Sequence, residues 1–309
     1  MAKVELGINN CFAIGRYPEP EEWLRIVKEE LGLQHVQFSF DLLDPVIIDE
    51  EIVKEKCAFI RRLADEGEVK IDTAVTGEVA HKFNLLLDPD PGMRRAYLRW
   101  YEKMVRAASL LGAEGSGIYM GSLSNKDVND PERKAYLTEV LIEEIAYLTF
   151  VAREAGQSYF LWEPMSLPRE MPSTIDETKE LWERVNEKSH IPVLLCLDVG
   201  HGYYRSSDPR DLDYYSWLQE LAHLSPSIHM QQTDRKGSRH WTFTEENNAQ
   251  GVIVPERVLE AIEASGAEEV ILVFEFFFSA HALSDESALD GMKKSVDYWR
   301  EALVRFYGK

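Results

Sequence analysis

Cysteine is scarce in this chain. Cys11, Cys57 and Cys196 are three in number and far apart in 309 residues, which excludes a disulfide framework and a CxxC metal motif and fits a reducing compartment. No run approaches eighteen apolar residues, so no transmembrane helix is expected, and Met1-Ala2-Lys3-Val4-Glu5 leads into a strand and not into the apolar core of a signal peptide. The expected location is the cytoplasm. Bases are outnumbered, 34 Lys and Arg against 54 Asp and Glu, for a net charge of −20; this speaks against nucleic acid or an anionic membrane as partner. Most of the acids fall in stretches of helical period, such as 19–30 and 139–154, where a solvated acidic face is the ordinary explanation. The Gly-rich turn of a dinucleotide fold is absent too, since Gly7-Ile8-Asn9-Asn10-Cys11 is not GxGxxG.

Short apolar runs alternate with longer segments of helical period from end to end. Strands are expected near 3–10, 35–41, 69–75, 113–120, 158–163, 193–198, 226–231 and 269–277. Helices are expected near 19–30, 49–65, 91–110, 131–154, 174–188, 211–222, 255–264 and 284–306. Pro20, Pro91 and Pro131 stand at first turns, and Gly32, Gly67, Gly112, Gly156 and Gly266 follow helix ends. Eight strand-helix units, with no Pro/Gly/Ser-rich linker and no low-complexity tract, predict an α/β fold: a single (β/α)8 TIM barrel as one domain over residues 1–309.

In such a barrel, chemistry sits at the C-terminal ends of the strands. Three apolar runs here end in an acid: Tyr159-Phe160-Leu161-Trp162 at Glu163, Val193-Leu194-Leu195-Cys196-Leu197 at Asp198, and Val270-Ile271-Leu272-Val273-Phe274 at Glu275. Buried carboxylates need pairing or a cation, so the three predict a divalent-metal site. The seventh run ends in Gln231-Gln232, and period two selects Gln231: if His229 and Gln231 face inward, Ile228 and Met230 face the helices, as apolar side chains should. Oxygen donors without thiolates suit Mn2+, Mg2+ or Co2+ ahead of Zn2+. Cys196, two residues deeper than Asp198, reads as core, and His229 as a partner of ligands rather than a ligand.

The order of these strand ends, the Asp-x-x-His pair of Asp198 and His201, the His-x-Gln-x-x-Asp stretch from His229 to Asp234, and Phe274-Glu275 resemble the xylose-isomerase-like barrel superfamily, in particular its sugar isomerase and epimerase branch with tagatose 3-epimerase and hydroxypyruvate isomerase. Gly77, Asn84 and Asp88-Pro89-Asp90 are similar to that branch as well. The resemblance implies one divalent ion on Glu163, Asp198, Gln231 and Glu275. It makes Glu163 and Glu275 the acid and base on opposite faces of the sugar, with His201 on substrate oxygens. An arginine after the seventh strand usually meets substrate in this family, and Arg235 and Arg239 compete for the part. Homo-oligomers are also implied.

The expected activity is metal-dependent aldose-ketose isomerisation or ketose epimerisation of a small sugar by proton transfer through a metal-stabilised enediolate. No lysine stands at a strand end to support a hydride shift. With no Gly-rich phosphate cradle, a free tetrose, pentose or branched pentose such as apiose is favoured. The rivals are a dehydratase or endonuclease of the same superfamily, or a barrel that binds a sugar without catalysis. The aromatic cluster Phe274, Phe276, Phe277 and Phe278 reads mainly as core, with Phe277 in the inward phase of Glu275. Asn9, Phe12, Phe40 and Trp241 are candidates for a sugar-stacking face, against simple packing.

Overall fold

The computed structural model describes residues 1–202, 205–278 and 285–308. Eight parallel strands close into a barrel: β1 (Lys3–Asn9), β2 (His35–Ser39), β3 (Lys70–Val75), β4 (Gly115–Ile118), β5 (Tyr159–Trp162), β6 (Val193–Asp198), β7 (Ser227–Met230) and, eighth in the ring, β10 (Glu269–Phe274), which pairs with β1 to close it. Two short strands, β8 (Gln232–Asp234) and β9 (Gly237–Trp241), form a separate antiparallel hairpin in the loop after β7.

The helices are α1 (Pro20–Arg25), continued by a π-turn over Ile26–Glu30, α2 (Glu50–Glu66), α3 (Pro91–Leu111), α4 (Asn125–Val128), α5 (Pro131–Glu154), α6 (Ile175–Asn186), α7 (Tyr214–Leu221), α8 (Glu245–Gln250), α9 (Pro255–Ser265) and α10 (Asp285–Tyr307). The eight expected strand-helix units are all present. Their starts obey local chemistry. Asp90 accepts from Gly92 N and Met93 N at the head of α3, Asp130 accepts from Glu132 N and Arg133 N at the head of α5, and Thr174 accepts from Glu177 N at the head of α6. Pro91 and Pro131 occupy first-turn positions where no N–H is needed. No helix among the described residues is long and apolar enough to cross a membrane.

Outward-facing strand residues such as Ile8, Phe38, Ile228 and Leu272 are buried beneath the helices, the two-sided burial that makes parallel strands read as apolar runs. The seventh loop departs from expectation: the β8–β9 hairpin and α8 were not foreseen, because elements of three to six residues are too short to show a period. The hairpin's tail is pinned to the outer layer. Phe243 N donates to Ser295 Oγ on α10 at 2.8 Å, and the Phe243 ring packs edge-on against Trp299, with centroids 5.3 Å apart.

The N-terminal mouth encloses a polar cavity of about 410 Å3. Acids and bases alternate along its rim: Glu269 to Lys3 at 2.7 Å, Lys3 to Glu5 at 2.8 Å, Glu5 to His35 at 3.7 Å, His35 to Asp72 at 2.9 Å, Asp72 to Lys70 at 3.2 Å, and Lys70 to Glu114 at 2.8 Å. Exposed pairs of this kind contribute little one by one. His35 is the member that titrates near neutrality, and its hydrogen bond to Asp72 raises its pKa above the ordinary imidazole value. The folded chain therefore holds this proton more tightly than the unfolded one. The stabilisation is complete below about pH 6.5 and is lost as pH rises through the higher folded value. Urea unfolding of the wild type and His35→Gln should show a larger stability difference at about pH 6 than at about pH 8.5; equal differences at both would refute this role.

Candidate functional site

The ends of β5, β6 and β10 deliver Glu163, Asp198 and Glu275 to the C-terminal mouth, where all three are buried. They converge on one imidazole. His229 Nδ1 lies 3.3 Å from Glu163 Oε1, 3.2 Å from Glu275 Oε2 and 3.9 Å from Asp198 Oδ2. Glu163 Oε1 and His229 Nδ1 are both buried with no hydrogen-bond partner of normal geometry among the described residues.

A relay of amides fixes which ring nitrogen faces the acids. Cys11 N–H donates to Asn9 Oδ1 at 2.9 Å, so Asn9 Nδ2 must be the donor to Gln37 Oε1 at 2.9 Å and to Glu275 Oε1 at 3.1 Å. Gln37 Oε1 is then an acceptor, and His229 Nε2, 2.6 Å away, is the N–H that donates to it. Nδ1 is left to the carboxylates. This is the arrangement expected when a histidine is held in one orientation by its far nitrogen.

Gln231 points inward and is fully buried, while Gln232 turns outward to Asn248 Oδ1 and the Ile253 carbonyl. The Gln231 amide has an assigned direction. Its Oε1 accepts backbone N–H groups from Arg239 at 2.9 Å and His240 at 2.6 Å, and its Nε2 donates to both Asp198 oxygens at 2.9 and 3.0 Å and to Ser238 Oγ at 2.7 Å. The glycine of Asp198-Val199-Gly200-His201 makes room for it, because a Cβ on Gly200 would lie 2.5 Å from the Gln231 amide carbon. His201 completes the turn, its Nδ1 3.2 Å from the Pro164 carbonyl and 3.5 Å from Glu163 Oε1, its Nε2 3.8 Å from Asp198 Oδ2.

These groups border a pocket of about 230 Å3 lined by Glu163, His201, His240, Glu275 and Phe277 together with Met165 and the third-loop residues His81 and Lys82. Burial works against charge on the imidazoles here, and pushes His81 down to about 4. At His201 burial is outweighed by Asp198, Glu163 and Glu275, which raise its pKa. Burial would likewise push the Glu275 carboxyl up, but His229 beside it holds it well below the usual range.

Neither candidate arginine lines this pocket. The Arg239 guanidinium pairs with Asp234 at 3.0 Å on the outer side of the hairpin and lies over the Trp241 ring, and Arg235 is exposed near the hairpin turn. Phe12 and Phe40 are core, and Asn9 belongs to the relay. Burial pushes the Cys196 thiol up, in keeping with a core position. His240, His81, Lys82 and Met165 escaped the sequence reading because they lie on loops, where no strand phase points to the mouth.

The donor set fits a divalent cation. Three buried carboxylates surround one unpartnered nitrogen, more negative charge than a proton on His229 can balance, and oxygen-rich surroundings are what a hard cation takes. Glu163, Asp198 and His229 present ligand atoms within 4.8 Å of one another, as do Asp198, His201 and His240.

Residues 24–302 match the model of the xylose isomerase-like TIM barrel family, and the chain belongs to it. It is 29% identical over 295 residues to a D-erythrulose 1-phosphate 3-epimerase of Brucella abortus (strain 2308), covering 95% of this chain and 94% of that protein. In structure it is similar to a protein of Rhodospirillum rubrum ATCC 11170 assigned as a xylose isomerase, with a TM-score of 0.89, 25% identity, and 96% and 99% of the two chains covered. The D-psicose 3-epimerase of Clostridium cellulolyticum H10 shares the fold, with a TM-score of 0.70, 16% identity, and 97% and 99% covered. The protein is an enzyme of the sugar isomerase and epimerase class.

The relay carries its own test. Gln37→Leu removes the acceptor for two buried donors, His229 Nε2–H and Asn9 Nδ2–H, and should cost about 1–3 kcal/mol in urea unfolding. A loss below about 0.5 kcal/mol, the range of ordinary surface substitutions, would mean that something else orients His229.

Proposed function

We propose that this chain is a cytoplasmic ketose 3-epimerase acting on a short ketose by proton transfer between Glu163, Glu275 and the carbon next to the carbonyl, with one divalent cation. The observation that carries the reading is the pairing of these two buried glutamates, on strands separated in the barrel by β6 and β7, at 3.3 and 3.2 Å from the same imidazole nitrogen. Two opposed carboxylates suit inversion at one carbon, where a proton leaves one face and another arrives on the other. Isomerisation can be served by one. The Brucella relative is named for 3-epimerisation of a four-carbon ketose phosphate, and a pocket of about 230 Å3 lies below the usual range for ligand sites. Lys82 at its border, exposed and 3.6 Å from Glu78, would have to leave that pair to meet a terminal phosphate, and phosphorylated ketoses stand beside the free sugars expected from sequence.

Glu163, Asp198 and Glu275 would hold the cation, with the Gln231 oxygen as fourth donor once its amide turns away from Arg239 N and His240 N. When bound, the cation supplies electrophilic stabilisation of charge developing on the carbonyl oxygen. One glutamate takes the proton from the carbon, and the other, protonated, returns its own from the opposite side of the planar enediolate. His229 keeps both carboxylates in place through Nδ1. His201, half-buried between Asp198 and Glu163, is placed to bind a substrate hydroxyl.

Two outcomes follow. Calorimetric titration with Mn2+ should show Asp198→Asn binding at least about tenfold more weakly than wild type, since even residues behind the ligands change metal affinity by 10–100-fold; unchanged affinity would place the cation elsewhere. In D2O, wild-type enzyme with Mn2+ should convert a ketotetrose or ketopentose, free or 1-phosphorylated, into its C3 epimer with deuterium at C3. Glu163→Gln and Glu275→Gln should each slow this by about 10²-fold or more. Product that keeps its original hydrogen, or near-normal turnover by either variant, would overturn the two-glutamate mechanism.

A further inference from the structure

The seventh loop places one side chain of its hairpin among the described pocket-lining residues, and it is His240 rather than an arginine. His240 sits on β9 with φ at 50°, a left-handed conformation uncommon outside glycine. It is fastened on every side. Its backbone N–H donates to Gln231 Oε1 at 2.6 Å, its Nε2 is 2.9 Å from Ser238 Oγ, its Nδ1 is 3.2 Å from the Glu275 carbonyl, and its ring lies on Phe277 with centroids 4.1 Å apart. Since Gln231 Nε2 is a donor, Ser238 Oγ accepts from it and donates to His240 Nε2, and His240 Nδ1–H is the donor to the carbonyl. A positive-φ residue held by so many contacts is a candidate for function, since the contacts fix where its ring stands.

The place of the ring says what the position does. His240 Nδ1 is 3.4 Å from Glu275 Oε2, so the imidazole stands directly beside the point where a substrate carbon must lie to exchange its proton. Val75, Ile118, Glu163 and Glu275 border the same pocket from the strands of a closed barrel or the residues just beyond them, and their backbones are set by the barrel. The rest of the lining comes from loops, and within it His240 is the residue whose ring stands against Glu275, with Phe277 stacked behind it. We infer that His240 is a specificity-determining residue of this enzyme: with Phe277 behind it, its ring ends the space available to the carbon chain and restricts the pocket to short ketoses. The inference rests on the epimerase reading above and deepens it. Both polar atoms of the ring are engaged with the protein, so its part in selection is exclusion by volume. A wall that excludes an added carbon unit discriminates by about 10–200-fold.

The test compares wild type, His240→Ala and His240→Phe, each loaded with Mn2+, on four- and six-carbon 2-ketoses, free and as 1-phosphates. For each protein kcat/KM is measured on both lengths, ketose dissociation constants by calorimetry, and Mn2+ affinity separately. His240→Ala should raise the six-to-four-carbon ratio of kcat/KM about tenfold or more, whereas His240→Phe, which keeps a flat ring of similar bulk, should leave it within about threefold of wild type. Mn2+ affinity should stay within about threefold in both. An unchanged ratio in His240→Ala overturns the inference. So does a loss of Mn2+ affinity, which would show that His240 serves the cation, as a ligand or by bracing Gln231 and Asp198. If wild type binds Mn2+ and ketoses without epimerising them, the epimerase reading fails on its own, and the length preference in the dissociation constants still decides the role of His240.

Discussion

Three carboxylates share a buried space around one imidazole nitrogen, and the upper half of the barrel is organised by the need to keep them there. Ionised groups removed from water are costly unless opposite charge and hydrogen bonds replace the lost solvent. Asn9 donates to Glu275, Gln231 donates to Asp198, and His229 stands among all three acids. Two of these polar residues are fixed from behind by backbone, Asn9 by Cys11 N and Gln231 by Arg239 N and His240 N, and the third, His229, by the Gln37 side chain. The site is therefore held by the main chain of the barrel and its loops more than by side chains alone, as electrostatic preorganisation requires.

The hairpin after β7 couples that site to the helical layer. Its second strand supplies the N–H groups that hold Gln231 and the ring that borders the pocket, and its tail is anchored through Phe243 to Ser295 and Trp299 of α10. The loop that supplies the pocket wall thus ends in the aromatic core beneath the outer helices. Its outer side carries Arg239 paired with Asp234, and the next residue, His240, in a left-handed backbone conformation, lines the pocket at the C-terminal mouth.

The two mouths of the barrel contrast in the way they handle charge. At the N-terminal mouth, acids and bases alternate across strand beginnings in pairs that are largely exposed, an arrangement tied to stability. At the C-terminal mouth Glu163, Asp198 and Glu275 gather with no lysine or arginine among their direct partners in the described residues, and histidines take that place. The imbalance suits a cation and a substrate better than it suits a resting protein, and it lies on the face where barrel enzymes keep their chemistry.

The sequence by itself determined the eight strand-helix units and the barrel class, because buried parallel strands are apolar runs and helix starts carry their own caps. It also determined that Glu163, Asp198, Gln231 and Glu275 meet at one end, since strand ends in a closed barrel share a rim and period two allows Gln231 to face inward only if Gln232 faces out. The direction of an amide, the orientation of the His229 ring and the course of the seventh loop were decided by tertiary structure alone. Gln231 shows its nitrogen to Asp198 because two N–H groups eight and nine residues later claim its oxygen, and no local pattern encodes that meeting. His229 faces the acids with Nδ1 because Gln37, on a strand 192 residues earlier, accepts from Nε2. The family resemblance pointed to Arg235 or Arg239, and of this hairpin it is His240 that lines the described pocket. Which side of a loop faces a pocket depends on what the loop packs against, and in this chain that is α10.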